Sequence, residues 1–174
     1  MKNLSSSFKI LVNFLIFAVC GTLLVKVVTL SKLIHLKFYS LESSDTVNTY
    51  WSLFLTMLTV ALLSYMFWLL LKFRKTIYSI KAESFFSKQN STIFKTVGKG
   101  LIYYSIGIFI IRVFENSFEK VSVVGESVAY NMGKNFGAAI ADRIPLLLIA
   151  FFILIIAKLI EDGYQLKKEN DLTI

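Results

Sequence analysis

The stretch that decides the fold is Trp51–Leu71, which has the sequence WSLFLTMLTVALLSYMFWLLL. These 21 residues contain no charged side chain, and a helix needs about 20 apolar residues to cross a bilayer. Tyr50 and Trp51 stand at its start, where amphipathic aromatic rings favour the membrane–water interface. The stretch therefore predicts a transmembrane helix, from which the rest of the chain can be interpreted.

Three further apolar stretches predict that the chain crosses the membrane four times in all. They lie at about residues 10–30, 101–118 and 138–160. The uncharged centre of the last one, Ile144–Ala157, has 14 residues and would cover only about 21 Å of a hydrocarbon core about 30 Å thick. This span must therefore extend past Arg143 and Lys158, whose long side chains can reach opposite interfaces.

The composition excludes an ordinary soluble domain. The chain is 56% hydrophobic and 17% charged, whereas soluble domains are about 45–50% apolar and about 25% charged. Membrane proteins carry basic residues on their cytoplasmic side, which explains the formal net charge of +8. We therefore expect the lipid bilayer as a partner and no direct binding of nucleic acid.

No residue pattern predicts catalysis or a cofactor. The chain has one histidine, His35, and one cysteine, Cys20, so neither a metal site rich in these residues nor an internal disulfide is expected. The sequence also lacks a glycine-rich phosphate loop and any set of residues typical of nucleophilic catalysis. We expect a non-enzymatic protein without a bound cofactor or metal.

The distribution of basic residues predicts which side of the membrane each segment occupies. The segment 72–100 carries seven basic residues and one acidic residue, Glu83. Such segments remain on the cytoplasmic side. With four spans, the N-terminus and the tail at 161–174 lie on the same side, so both ends of the chain are expected in the cytoplasm.

The segment 72–100 is expected to form a cytoplasmic helical hairpin, because apolar residues continue into it at helical spacing. Asn90 or Ser91 is the expected N-cap of its second helix, and Phe85 and Phe86 lie at the expected elbow. We favour packing or headgroup contact for these phenylalanines over docking of a protein partner. The candidate docking residues are Phe85, Phe86 and Asn90 in the hairpin, and Glu169, Asn170, Asp171 and Leu172 in the tail.

Charged residues at the ends of the third and fourth spans form a candidate polar cluster. Arg112 and Glu115 are three residues apart on one helical face, and Asp142 and Arg143 lie near the same end of the next span. Charge inside a membrane indicates a functional site by default. Because these residues are near an interface, structural pairing is the interpretation that we favour.

Two stretches of the chain resemble a known bacterial family. One is Phe86-Ser87-Lys88-Gln89-Asn90 followed by Phe94-Lys95-Thr96-Val97-Gly98, and the other is Pro145 with its aliphatic run, leading into the terminal stretch Glu161–Ile174. They resemble the membrane proteins grouped as domain of unknown function 2975, the YoaS-like family, over nearly the whole chain. The middle motif departs from the family at Gln89, where Glu is usual.

This resemblance implies a multi-pass protein of the bacterial cytoplasmic membrane, but it implies no established activity. Members are often encoded beside a small helix-turn-helix regulator. That neighbourhood implies a membrane protein that binds the regulator through its cytoplasmic face, where the hairpin and the tail are the available surfaces.

The sequence thus predicts an all-α integral membrane four-helix bundle, with helices 2 and 3 extended into a cytoplasmic hairpin. Its first predicted function is that of a non-enzymatic regulator or sensor that binds a small cytoplasmic helix-turn-helix protein. The alternative is a small permease, channel or accessory subunit that uses the polar cluster. Small residues between Gly133 and Ala141 permit close helix approach within one chain or in a homo-oligomer.

Overall fold

The computed structural model describes residues 2–39, 46–79, 85–118 and 128–172. All regular secondary structure in these ranges is helical. The helices are α1 (Lys2–Tyr39), α2 (Thr46–Ser79), α3 (Lys88–Phe118), α4 (Val128–Ala141) and α5 (Ile144–Leu172). The prediction of an all-α chain is therefore confirmed.

Four helical stretches in the described residues are long and apolar enough to cross a membrane. They are Lys9–His35, Tyr50–Tyr78, Lys88–Glu115 and Gly133–Leu172. Each overlaps one of the apolar stretches that the sequence indicated, and each exceeds the roughly 20 residues that a bilayer requires. The chain therefore has the helices of a multi-pass membrane protein, as predicted.

The segment between the second and third spans is helical on both sides of a short gap in the described residues. Helix α2 continues to Ser79, and α3 begins at Lys88. Part of the predicted hairpin, residues 80–84, lies outside the described residues. What the structure gives is two long helices that pack against each other.

Helix α3 lies at the centre of the helix packing. Its main neighbours are α2, α4 and α5, whereas α1 packs mainly against α2. A Cβ atom at Gly98 would lie 2.7 Å from the Leu154 side chain, and one at Gly107 would lie 2.8 Å from Leu62. Since real carbon atoms do not approach so closely, α5 and α2 reach these positions only because α3 has no side chain there.

The buried core surrounds the first half of α3. It consists of Val12 of α1, Met66, Leu69, Leu70 and Phe73 of α2, Phe94, Val97 and Leu101 of α3, and Ala150, Ala157 and Ile160 of α5. The Phe73 and Phe94 rings meet edge to face with centroids 5.3 Å apart, a favourable arrangement for aromatic pairs. A smaller cluster, Leu55 with Ile108 and Ile111, lies along the second half of α3. The packing is therefore most extensive near the start of α3.

The fourth span is interrupted by a turn at Asp142 and Arg143, which the sequence did not predict. The Arg143 N–H donates to the Ile140 carbonyl at 2.9 Å, three residues back rather than four, so the helix tightens there. Pro145 follows as the second residue of α5, where its missing N–H is tolerated. The turn places Asp142 and Arg143 outside regular helix.

Candidate functional site

Helices α1, α2 and α3 and the turn between α4 and α5 surround a cavity of about 380 Å³. Its lining comprises Leu15, Ala18, Val19, Thr22 and Lys26 of α1, Thr59 and Leu63 of α2, Tyr104, Ile108, Ile111, Arg112 and Glu115 of α3, and Arg143 of the turn. Arg112 lies 24 residues after the first residue of α3, which corresponds to about 36 Å along the helix. The cavity is therefore at the far end of the molecule from Phe85.

An ion pair joins α3 to the turn in the fourth span. The Arg112 guanidinium lies 3.2 Å from the Asp142 carboxylate, and the two side chains are 48% and 54% exposed. A pair this exposed contributes only about 0–1 kcal/mol in water, so it adds little to the packing of the turn beside α3. The structure thus brings together two members of the predicted polar cluster.

Arg143 lines the cavity, and one of its donor atoms lies buried within the protein. This atom, Nε, has no hydrogen-bond partner among the described residues. A buried donor without a partner costs about 1–3 kcal/mol. Such a group in a native structure calls for a partner.

Glu115 also lines the cavity, so three of the four predicted cluster residues share this wall. Asp142, the fourth, reaches the site through its bond to Arg112. Lys26 was not among the predicted cluster residues, yet it lines the same cavity. The signal available was a lysine inside an apolar span at the same end of the bundle.

The cavity's hydroxyl groups were also missed from sequence. Thr22 donates its hydroxyl to the Val19 carbonyl at 2.8 Å, and Thr59 donates to the Leu55 carbonyl at 2.8 Å. Because both protons are used within their own helices, these oxygens offer the cavity acceptor capacity rather than donors. The donor-bearing side chains that remain in the lining are therefore Tyr104 and the basic residues.

At the opposite end, the two elbow phenylalanines differ in environment. Their rings meet edge to face with centroids 5.3 Å apart. Phe85 packs against the core, whereas Phe86 is 48% exposed and lies against Gly163 of α5. A Cβ at Gly163 would collide with the Phe86 ring. The elbow is thereby seated on α5 at a position that requires glycine.

The N-cap of α3 is Ser87, so the expectation that Asn90 or Ser91 caps this helix is wrong. The Ser87 hydroxyl oxygen accepts a hydrogen bond from the Asn90 backbone N–H at 3.2 Å, which is the capping geometry. A serine three residues before Asn90 provides this bond, so α3 begins earlier than expected.

Asn90 and Ser91 are buried and connect α3 to its surroundings. The Asn90 amide donates to the Phe85 carbonyl at 3.0 Å, and the Ser91 hydroxyl donates to the Ala157 carbonyl of α5 at 3.0 Å. Ser91 therefore bonds directly to α5. Of the candidate docking residues in the elbow, Phe86 lies at the surface and Asn90 lies inside.

The tail is helical as far as Leu172. Lys158 pairs with Asp162 at 2.8 Å and lies 4.0 Å from Glu161, which supports the helix where its apolar stretch ends. Leu172 lies about 14 Å beyond Gly163 along the helix axis. The candidate docking residues of the tail, Glu169, Asn170, Asp171 and Leu172, are exposed on this last part of α5. They are therefore displaced from the elbow along one helix.

Comparison with known proteins gives one match. The family model described as Protein of unknown function (DUF2975) matches residues 8–174, which is nearly the whole chain. No curated protein and no solved structure matches. Within the described residues, no group of three or more His, Cys, Asp or Glu side chains is arranged to hold a metal ion.

Proposed function

This chain belongs to the DUF2975 family, as its motifs indicated, and from that membership we propose a non-enzymatic membrane regulator or sensor that binds a small cytoplasmic helix-turn-helix transcription regulator. The observation that carries the proposal is the polar end of α5. There Leu166 is 67% exposed and Leu172 is 77% exposed among charged residues, beyond the apolar part of the span. Together with Phe86, which is 48% exposed at the same end of the protein, these leucines are apolar side chains that a protein partner could bury.

The proposal places the elbow, the N-terminus and the tail in the cytoplasm of a bacterial cell. The seven basic residues of the segment 72–100 support this orientation. Several basic side chains at this end of the bundle lie over aromatic rings. Lys9 lies 5.0 Å from the centre of the Tyr78 ring, Arg74 lies 5.3 Å from the same ring, and Lys72 lies 5.2 Å from the centre of Trp68. Such a belt is typical of a membrane boundary facing anionic lipid.

In this proposal the regulator contacts Phe86 and Leu166 on one side of α5, and Leu172, nine residues after Gly163 and therefore on the opposite face of the helix, forms a separate contact. Phe86 rests on Gly163, and the Ser91 hydroxyl bonds to α5 at 3.0 Å. These contacts tie the elbow to α5. A change in the packing of α5 against α3 would therefore be transmitted to the surface that the regulator occupies, which is the requirement for a sensor.

The test is co-purification from gently solubilised native membranes. The tagged full chain is compared with the double variant Leu166→Ser/Leu172→Ser and with a matched control, Gln165→Ser, which changes an exposed polar residue on the same helix. The proposed regulator would bury both leucines, so replacing them with serine should weaken its binding at least about tenfold. A small DNA-binding protein should accompany the full chain and the control, and should be lost from the double variant.

The same preparations provide a second measurement, the fraction of that DNA-binding protein found with the membranes. This fraction should fall in cells that carry the double variant and remain unchanged with Gln165→Ser. Equal capture by all three chains, or capture of only membrane subunits, would contradict the proposal.

A second candidate function is a small permease, channel or accessory subunit. The observation that favours it is the cavity with its charged residues Lys26, Arg112, Glu115 and Arg143. Replacing Arg112 and Arg143 with the uncharged residue Gln separates the two functions. Loss of solute flux in the variant would support transport, whereas unchanged flux with altered transcription would support regulation.

A further inference from the structure

The cavity has two chemically different parts. One part is apolar and is formed by Leu15, Ala18, Val19, Leu63, Ile108 and Ile111. The other carries three basic side chains and one acidic side chain, namely Lys26, Arg112, Arg143 and Glu115. A polar end beside an apolar wall is typical of sites that bind small molecules with both characters.

The charge balance of the polar part favours an anion. Asp142 pairs with Arg112 at 3.2 Å, which leaves Lys26 and Arg143 against Glu115. The site therefore retains an excess of positive charge near the end of two membrane spans, where charged side chains usually have partners. An anionic group at this position would be such a partner.

Arg143 indicates where the anion lies, because its side chain forms part of the cavity wall. A guanidinium group offers parallel N–H donors that match two oxygens of one carboxylate or phosphate. The Arg143 side chain is thus the type of group that would bind such a ligand.

From these observations we infer that the cavity binds an anionic amphiphile, with its carboxylate or phosphate at Arg143 and Lys26 and its apolar part along Ala18, Val19 and Ile108. A volume of about 380 Å³ lies within the range of small-molecule sites, about 300–1,000 Å³. The ligand is either an anionic lipid of the bilayer or a free fatty acid, which share this chemistry. The cavity lies at the opposite end of the bundle from the docking surface, so binding of this ligand does not depend on the proposed regulator.

The experiment is native mass spectrometry of the purified full chain with phosphatidylglycerol, oleate or the neutral lipid phosphatidylcholine. The variant Arg143→Gln removes the guanidinium group. The matched control Lys134→Gln removes one positive charge from an exposed position on α4, outside the cavity lining. We expect one anionic amphiphile to remain bound, with affinity about tenfold lower in Arg143→Gln and unchanged in Lys134→Gln.

A steric variant tests the apolar part without altering any charge. Ala18→Leu exchanges one apolar residue for a larger one at the cavity wall, so it should lower the affinity while the helices remain intact. It also keeps the test decisive if Arg143→Gln does not fold, which circular dichroism and gel filtration would reveal. Lys26→Gln provides a second charge variant for the same comparison.

The outcomes separate the two ligand sources from failure of the inference. Retention of phosphatidylglycerol identifies a bilayer lipid, and retention of oleate alone identifies a free amphiphile. Equal binding of phosphatidylcholine, or equal anion binding by the chain, Arg143→Gln and Ala18→Leu, would overturn the inference. Inorganic phosphate binding as tightly as either amphiphile, unaffected by Ala18→Leu, would also overturn it.

Discussion

Ser87 shows how a single hydroxyl fixes the start of a helix. Its oxygen accepts the Asn90 N–H at 3.2 Å, so Ser87→Ala should lower the free energy of unfolding by about 1 kcal/mol. The control is Thr92→Ala on the same helix, because the Thr92 hydroxyl donates to the carbonyl of Lys88 four residues earlier and alanine favours helix. Denaturant unfolding in detergent would measure both, and an equal or larger loss in the control would contradict the assignment.

Gly163 is expected to be coupled energetically to Phe86. Alanine in place of glycine normally stabilises a helix by about 1 kcal/mol, but here the added Cβ would collide with the Phe86 ring. We expect Gly163→Ala to be stabilising in a Phe86→Ala chain and neutral or destabilising in the unmodified chain. A double-mutant cycle of unfolding free energies measures this difference, and additive effects would show that the two residues are independent.

At the scale of whole elements, the closeness of α3 and α5 leads to a prediction at Gly98. A Cβ there would lie 2.7 Å from the Leu154 side chain and 3.2 Å from the Ala150 carbonyl oxygen, and the backbone atom cannot move independently of α5. Gly98→Ala should therefore cost about 1–3 kcal/mol of stability. Thermal unfolding in detergent is the measurement.

The control for Gly98 is Gly21→Ala on α1. No atom lies within 4 Å of a Cβ at Gly21, so the same substitution there meets no steric obstacle. We expect its midpoint temperature to equal or exceed that of the unmodified chain. Equal losses at Gly98 and Gly21 would mean that the contact between α3 and α5 does not account for the effect.

The elements differ in how well the sequence predicts them. The stretch Trp51–Leu71 is apolar and free of charge, so lipid is the only solvent that suits it and its helix is predictable. The turn at Asp142 and Arg143 is not predictable in this way. Charged residues before a proline are compatible with a helix start, a kink or a continuous helix near an interface.

At the scale of the whole molecule, the distribution of basic residues predicts the topology. We expect Lys168→Cys in a Cys20→Ser background to react with a membrane-impermeant maleimide only after the cells are permeabilised. Lys134→Cys in the same background should react in intact cells, because it belongs to the opposite end of the bundle. The reverse pattern would place the tail outside the cytoplasm.

The cavity is formed by helices that are distant in sequence, so only part of it could be predicted. Arg112 and Glu115 are visible as charges inside an apolar span. Their meeting with Lys26 of α1 depends on the relative rotation and depth of separate helices. Local sequence patterns do not fix those quantities, since they arise from contacts such as Leu154 on Gly98.

The central position of α3 has a consequence for biogenesis. Helices leave the ribosome in chain order, and the main contacts join α1 to α2, α2 to α3, and α3 to α4 and α5. Each newly made helix therefore finds its chief partner already inserted, which keeps the sequence separation of contacts short and favours rapid assembly. A chain arrested after α2 would hold a paired hairpin, whereas one arrested after α3 would expose the face of α3 around Gly98 to the bilayer until α5 arrives.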